Sequence, residues 1–251
     1  MDLHLSSKTA IVTGSSKGIG EEIARSLHAE GCNVVLNGRN ESNLRSIAKS
    51  MKERVGYFVA DVTKINNCKS LVKYTIRKFG RVDILVCNVG SGRSVPIGKE
   101  TIEDLQKMLN INLLSTINTI NAAKEEIIKS KGNIVCISSI AGVEIIGAPI
   151  NYTVAKSALN TYAKNMSKYL GQFGVRINVV APGNIFFKGS IWEKNLKQDP
   201  TKVKKFLQNQ VPLKRFGTPK EIGDAVAFLS SPLSSFTTGS VIIIDGGQVN
   251  S

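Results

Sequence analysis

The stretch Thr9-Ala10-Ile11-Val12-Thr13-Gly14-Ser15-Ser16-Lys17-Gly18-Ile19-Gly20 decides the fold. It begins as a β-branched apolar run, passes through a glycine-rich turn and enters a segment of helical periodicity. A strand that gives way to a helix in this manner presents free backbone N–H groups and the positive end of a helix dipole. A pyrophosphate can sit close above such a turn, where Cβ atoms at the glycine positions would take up its space. The same glycines also suit a plain strand–helix corner, so the turn is read together with the rest of the chain.

Outward from it, short runs rich in Val, Ile and Leu occur at 9–13, 34–37, 55–59, 84–89, 134–138, 177–181 and 241–244. Nearly continuous apolar runs of this length fit strands buried on both faces. Between them lie amphipathic segments at 18–30, 41–53, 66–79, 102–130, 150–172 and 219–230. Thr101 and Thr218 are start signals, and Gly31, Gly80, Gly132 and Gly174 stand where helices should stop. Strict alternation of the two kinds predicts an α/β fold: a Rossmann-type doubly wound parallel sheet of about seven strands in a single domain spanning 1–251. One region breaks the rhythm. Residues 184–213 carry Phe186, Phe187, Trp192 and many lysines, and an insertion this long reads as a substrate-binding lid.

The 251 residues suffice for a sizeable core, and 42% hydrophobic with 21% charged residues is ordinary globular composition. No apolar run reaches the roughly 18 residues of a membrane span, and the first residues resemble no secretory signal, so a cytoplasmic protein is expected. Cys32, Cys68, Cys87 and Cys136 are scattered without a Cys-x-x-Cys pair, and only His4 and His28 are present. No metal site is expected from that material. The net charge of +14 favours anionic partners, yet the basic residues form neither a tail nor a stripe interleaved with aromatics. Specific nucleic-acid binding is therefore not expected.

The end of the second strand speaks to the cofactor. An acid there bonds both ribose hydroxyls of NAD, whereas a 2′-phosphate requires a neutral or basic residue. The chain reads Leu36-Asn37-Gly38-Arg39-Asn40, with no acid until Glu41. Arg39, with Lys17 from the glycine turn, suits a 2′-phosphate, because guanidinium matches phosphate geometry and ammonium supplies a point charge. NADP(H) is expected ahead of NAD(H). At the chemical end, Tyr152 and Lys156 stand at i and i+4 on one helix face. A phenol with an ordinary pKa near 10 is a poor base, and a nearby ammonium would lower it. The fifth strand ends at Ser138-Ser139, where a hydroxyl can face the tyrosine across a substrate oxygen.

Together these segments strongly resemble the short-chain dehydrogenase/reductase family along essentially the whole chain. Thr13-Gly14-x-x-x-Gly18-x-Gly20 resembles its nucleotide loop, Asp61-Val62 its adenine contact and Asn88-Val89-Gly90 the tail of its Asn-Asn-Ala-Gly segment. Asn112-Leu113 falls where the family keeps a catalytic asparagine, although Asn110 lies two residues earlier. Ser139 precedes Tyr152 by thirteen residues, the family's interval, which selects it over Ser138. Pro182-Gly183 and Asp245-Gly246-Gly247 complete the pattern. Cys87 and Val89 depart from it, in place of Asn and Ala.

The resemblance implies a catalytic set of Asn112, Ser139, Tyr152 and Lys156. Tyr152 would exchange the proton, Lys156 would bind the nicotinamide ribose and lower the tyrosine pKa, Ser139 would hold the substrate oxygen, and Asn112 would support a water relay. It also implies cofactor contacts at Gly14, Ser16, Lys17, Gly18, Ile19, Gly20, Arg39, Asp61, Val62, Asn88, Gly90, Tyr152, Lys156, Pro182, Gly183 and Ile185, and a homotetramer assembled through the 102–130 and 150–172 helices and the C-terminal region.

For the substrate, a small-molecule or carrier-bound carbonyl is expected, anionic compounds included, the closest pattern being the 3-oxoacyl-carrier-protein reductase type. Ser130 and Phe173 stand where those reductases tend to place carrier-binding arginines, with Lys129 and Lys131 beside the first. The segments Ser91-Gly92-Arg93-Ser94 and 184–192 are more similar to members acting on sugar or nucleotide-sugar derivatives. Arg93 reads as a contact for an anionic substrate or as a solvated loop residue. The lid lysines read as a solvated face or a landing site, and its aromatics as lid core or substrate wall. A reading of another class, a non-catalytic NADP-binding regulatory protein on the same fold, is opposed by the intact set of four.

Overall fold

The computed structural model describes residues 1–250. One sheet organises them, with seven strands in the order β3-β2-β1-β4-β5-β6-β7, every neighbouring pair parallel. The strands are β1 (Thr9–Val12), β2 (Asn33–Gly38), β3 (Val55–Val59), β4 (Ile84–Cys87), β5 (Asn133–Ile137), β6 (Arg176–Pro182) and β7 (Val241–Ile244). Joining them are α1 (Gly18–Ala29), α2 (Glu41–Met51), α3 (Ile65–Phe79), α4 (Ile102–Leu109), α5 (Ser115–Ser130), α6 (Ile150–Gly171), α7 (Ile191–Gln198), α8 (Pro200–Gln210) and α9 (Pro219–Ser230).

Side-chain alternation along each strand feeds two cores. Ala10, Val12, Val34, Leu36, Ile84 and Val86 pack with Ile23, Leu27, Leu44, Ile222 and Val226 of α1, α2 and α9. Ile11, Val35, Leu85 and Cys87 point the other way, onto Leu71, Ile120, Ile127, Leu159 and Ala163 of α3, α5 and α6. Strands of four to seven residues hold because both faces are covered; each buried large side chain contributes roughly 1.5–3 kcal/mol.

The winding direction reverses between β1 and β4, which pair with each other. Buried Asp83 ties this seam: its carboxylate accepts the Thr9 amide at 2.9 Å and the Arg81 Nε–H at 2.7 Å. Ligands of such sheets bind beyond the carboxyl ends of the strands at this reversal.

Two expectations are corrected. The single helix at 102–130 is interrupted by a π-helical turn, Asn110–Leu114, which apolar periodicity does not reveal. The left-handed residue closing α5 is Lys131 (φ 49°), not Gly132; glycine is needed at 132 because a Cβ there would run into the Asp83 carbonyl. The 184–213 segment is largely helical. Ser190 caps α7, and Asp199 caps α8 with Pro200 in its first turn.

Candidate active site

A cleft of about 1110 Å³ runs along the carboxyl ends of the strands, from Arg39 past the β1–β4 seam to the 184–213 segment. Gly14, Ser16, Lys17, Ile19, Gly20, Arg39, Asp61, Val62, Asn88, Gly90, Tyr152, Lys156 and Ile185 line it, as do Ser139 and Arg93. Four candidates do not. Pro182 and Gly183 are held back against β7, with the Gly183 amide donating to the Ile244 carbonyl at 2.9 Å, and Asn184 takes their place in the wall. Asn112 lies fully buried behind Ile111, and Gly18 is covered by the ring of Phe187.

The glycines of the turn answer first to protein packing. A Cβ on Gly20 would collide with the Asn88 amide and the Gly14 carbonyl, and one on Gly14 would crowd Asn88 and Val89 at 3.0–3.1 Å. Asn88 is the clamp: its Nδ2 donates to the carbonyls of Thr13 and Gly14 at 3.0 and 3.1 Å. Opposite, a Cβ on Gly38 would stand 3.0 Å from the Ser16 Cβ, so the tip of β2 abuts the turn.

The residues at this end fit a dinucleotide. Asn37 is buried in the cleft wall; its Nδ2 donates to the carbonyls of Phe58 and Ala60, while its Oδ1 has no partner in the protein. Arg39 lies close enough to hold the Asp61 carboxyl down, together with hydrogen bonds from Thr63 that outweigh the effect of burial. The Lys17 Nζ lies 3.8 Å from where a Gly189 Cβ would be.

At the chemical end, the loop after β5 is bound to α6. The Gly142 carbonyl accepts from Ser157 Oγ at 3.2 Å and Asn160 Nδ2 at 2.9 Å, and a Cβ on Gly142 would meet Lys156 backbone at 2.7 Å. The adjacent serines separate in role. Ser138 Oγ is buried and donates to the Lys156 carbonyl at 3.4 Å, whereas Ser139 faces the cleft and hydrogen-bonds the Tyr152 hydroxyl.

Asn112, at the π turn, accepts the Ser91 amide at 2.9 Å and donates to the carbonyls of Ser91 and Met108 at 3.1 Å. Its Oδ1 and the Lys156 Nζ lie 2.9 and 3.0 Å from the point where a Gly90 Cβ would be. Asn110 and Cys87 take no part in the cleft wall, and the thiol of Cys87 is raised by its contact with Cys136 and by burial.

The protons differ from expectation. Burial raises the Tyr152 phenol, the Ser139 hydrogen bond offsetting it in part, and lowers Lys156 to about 8. The Lys156 Nζ donates to the Ile137 carbonyl at 2.8 Å and stands 5.9 Å from the tyrosine ring centroid. At that separation desolvation outweighs the attraction between ammonium and phenolate.

Sequence reasoning left the far wall incomplete. Trp192 lines it with Asn195, Phe206, Ile146 and Gln248; of these, only Trp192 was singled out. Trp192 stacks on Phe206 at 5.1 Å and meets Phe216 at 5.2 Å, while Phe186 packs on Phe216 and is absent from the wall. The aromatics therefore divide between the cleft wall and the interior of the 184–213 segment. Lys194, Lys202, Lys204 and Lys205 are solvated, and Lys197 pairs with Glu193 at 3.2 Å. Among the described residues no three His, Cys, Asp or Glu side chains cluster as metal ligands, and no helix is long and apolar enough to cross a membrane.

Known proteins share this arrangement. A family model described as enoyl-(acyl carrier protein) reductase matches residues 14–248. The 3-oxoacyl-[acyl-carrier-protein] reductase of Rickettsia conorii is 34% identical, over 98% of this chain and 99% of its own. L-Sorbose reductase from Gluconobacter frateurii, solved with NADPH and L-sorbose, superposes with a TM-score of 0.93 at 29% identity, covering 100% of both chains. A 7α-hydroxysteroid dehydrogenase complexed with NADH and 7-oxo glycochenodeoxycholic acid gives 0.89 at 29% identity, covering 100% of this chain and 97% of that one. With its reversal-point cleft, glycine turn and Ser–Tyr–Lys grouping, the chain belongs to the short-chain dehydrogenase/reductase family of oxidoreductases.

Proposed function

We propose that the chain is an NADP(H)-dependent oxidoreductase acting on a carbonyl or secondary-alcohol substrate, with a 3-oxoacyl thioester as the leading class. The observation that carries this reading is the convergence of Ser139, Tyr152 and Lys156 on one end of a cleft whose other end holds the glycine turn. The cofactor supplies the hydride; the protein orients the partners and handles the proton. Tyr152 donates its phenolic proton to the carbonyl oxygen in reduction and accepts one in oxidation. Ser139 holds that oxygen, and Lys156, which lines the cleft, would bind the nicotinamide ribose and adds positive charge behind the phenol. Asn112 keeps the Ser91 backbone in place and, with the Lys156 Nζ beside Gly90, supports a water relay.

Support for NADP(H) over NAD(H) rests on the tip of β2, where Arg39 follows Gly38 beside Ser16 and no acid is present. Both dinucleotides occur among the structural neighbours, so these residues decide. Arg39→Ala should weaken NADPH binding about 10-fold, the worth of one charge-assisted phosphate contact, and leave NADH binding unchanged. Calorimetric titration of both dinucleotides measures this; a parent that prefers NADH sinks the assignment.

A second substrate reading, a keto sugar or nucleotide-sugar derivative, is favoured by Trp192 and Asn195 in the far wall, a flat face beside a polar group. Following nicotinamide absorbance with acyl thioesters, keto sugars and simple ketones separates the two. Turnover of simple ketones alone would reject both. We infer that the chain works in the cytoplasm as a homotetramer, consistent with exposed Leu114, Val154 and Phe173 on α6 and its neighbours.

A further inference from the structure

The glycine turn is in contact with the lid. Three ring carbons of Phe187 lie 2.5, 2.7 and 2.9 Å from the point where a Cβ on Gly18 would be. The ring therefore rests on the Cα of the first residue of α1, whose N–H groups and dipole make the anion seat of the fold. This explains why Gly18 alone among the glycines of the turn is missing from the cleft wall while Phe187 is part of it. Phe187 is also anchored, packing against the core cluster of α1 and β1 beside Ile19.

From Phe187 the chain steps back one residue to a run of packed rings that reaches the cleft wall. Its neighbour Phe186 packs on Phe216 at 5.5 Å, Phe216 on Trp192 at 5.2 Å and Trp192 on Phe206 at 5.1 Å. Trp192 and Phe206 line the same cleft as Ser139, Tyr152 and Lys156. Backbone bonds hold the segment in place: the Phe186 amide donates to the Gly217 carbonyl, and the Gly217 amide to the Asn184 carbonyl. A shift of the Phe187 ring therefore moves a packed unit, since interiors at crystal density yield as blocks rather than atom by atom.

We propose that Phe187 is a positioning residue that couples the cofactor seat to the substrate wall: a dinucleotide diphosphate takes the Gly18 seat only when the ring leaves it, and the departing ring carries Phe186 and Trp192 with it. The proposal rests on the reading that the cleft binds a nicotinamide dinucleotide. Cofactor occupancy therefore sets the shape of the wall that meets the substrate. Displacement opposes cofactor binding, so the parent binds less tightly than a chain without the ring, by the reciprocity that links any two coupled equilibria.

Trp192 is the single tryptophan of the chain and reports on the wall directly. The experiment titrates NADP+ into the parent, Phe187→Ala and Phe187→Leu, with emission excited at 295 nm and affinity measured independently by calorimetry. The expected result is a saturable change in Trp192 emission in the parent that is lost in Phe187→Ala, whose dissociation constant falls about 10-fold, with Phe187→Leu between them. Trypsin cleavage after Lys188 and Lys194 without nucleotide should be faster in Phe187→Ala, whose lid has lost its hold on the turn. Calorimetric binding to the parent with silent Trp192 emission overturns the coupling, as does a variant affinity equal to or weaker than that of the parent. A parent that binds no dinucleotide by calorimetry removes the cofactor reading itself, and the proposal with it.

Discussion

Tyr152→Phe should lower carbonyl reduction by about 10²–10⁴-fold, the usual contribution of a positioned acid/base, while NADPH binding stays within about 2-fold of the parent. The change removes one oxygen from a partly buried ring in the cleft wall and leaves the volume, the ring packing and the fold of α6 intact. Its local cost is the hydrogen bond with Ser139, about 1 kcal/mol. The phenol is raised by burial, so at neutral pH it is a held proton ready to be given to a carbonyl oxygen, which matches reduction better than oxidation. Nicotinamide absorbance and calorimetry measure the two halves separately. Reduction surviving at a tenth of the parental rate would place the proton elsewhere. A parent that binds NADPH and turns over no carbonyl would favour a regulatory protein on this fold.

Lys156→Met should abolish turnover and stabilise the protein. A fully buried ammonium that donates to one backbone carbonyl, with no carboxylate beside it, is held at a pKa of about 8 against 10.5. A difference of two to three pH units corresponds to roughly 3 kcal/mol of destabilisation at neutral pH. Methionine fills similar volume without charge; after loss of the Ile137 hydrogen bond, a net gain of about 1–2 kcal/mol remains. The pH dependence has a definite sign. Below pH 8 the folded and unfolded chains both hold this proton and the cost is constant. Between about 8 and 10.5 only the unfolded chain holds it, so parental stability rises with pH there and the advantage of Met shrinks. Urea midpoints of both proteins at pH 7 and pH 9.5 test this. A lower midpoint for Lys156→Met at pH 7 would show that the ammonium is stabilising.

Much of the fold was legible because a parallel sheet covered on both faces writes itself as short Val/Ile/Leu runs, and each of the seven was present. The cofactor end was legible for a local reason: turn, strand tip and glycines lie within thirty residues of sequence. What escaped depends on contacts between distant segments. That Phe187 covers Gly18, that Asn37 leaves an acceptor free and that Phe206 and Gln248 close the wall are facts of packing with no periodicity or spacing to announce them. The direction of the Tyr152 and Lys156 shifts escaped likewise, since an i, i+4 spacing shows that two groups are near but not how dry their surroundings are. Ser139 was separated from Ser138 by resemblance; the structure supplies the physical difference, one hydroxyl turned into the protein and the other toward the tyrosine.

The turn at Asn110–Leu114 has a mechanical consequence. A π turn holds one residue more than a normal turn, and one residue is about 100° of rotation around a helix axis. It therefore acts as a phase shifter between α4 and α5. With the extra residue, Asn112 faces Ser91 while Ile120 and Ile127 still face the sheet. Trimming the chain there to restore a regular helix would swing the whole α5 stripe away from its core. Length at this point is as constrained as identity, and the buried asparagine sits within the turn where the helix changes phase.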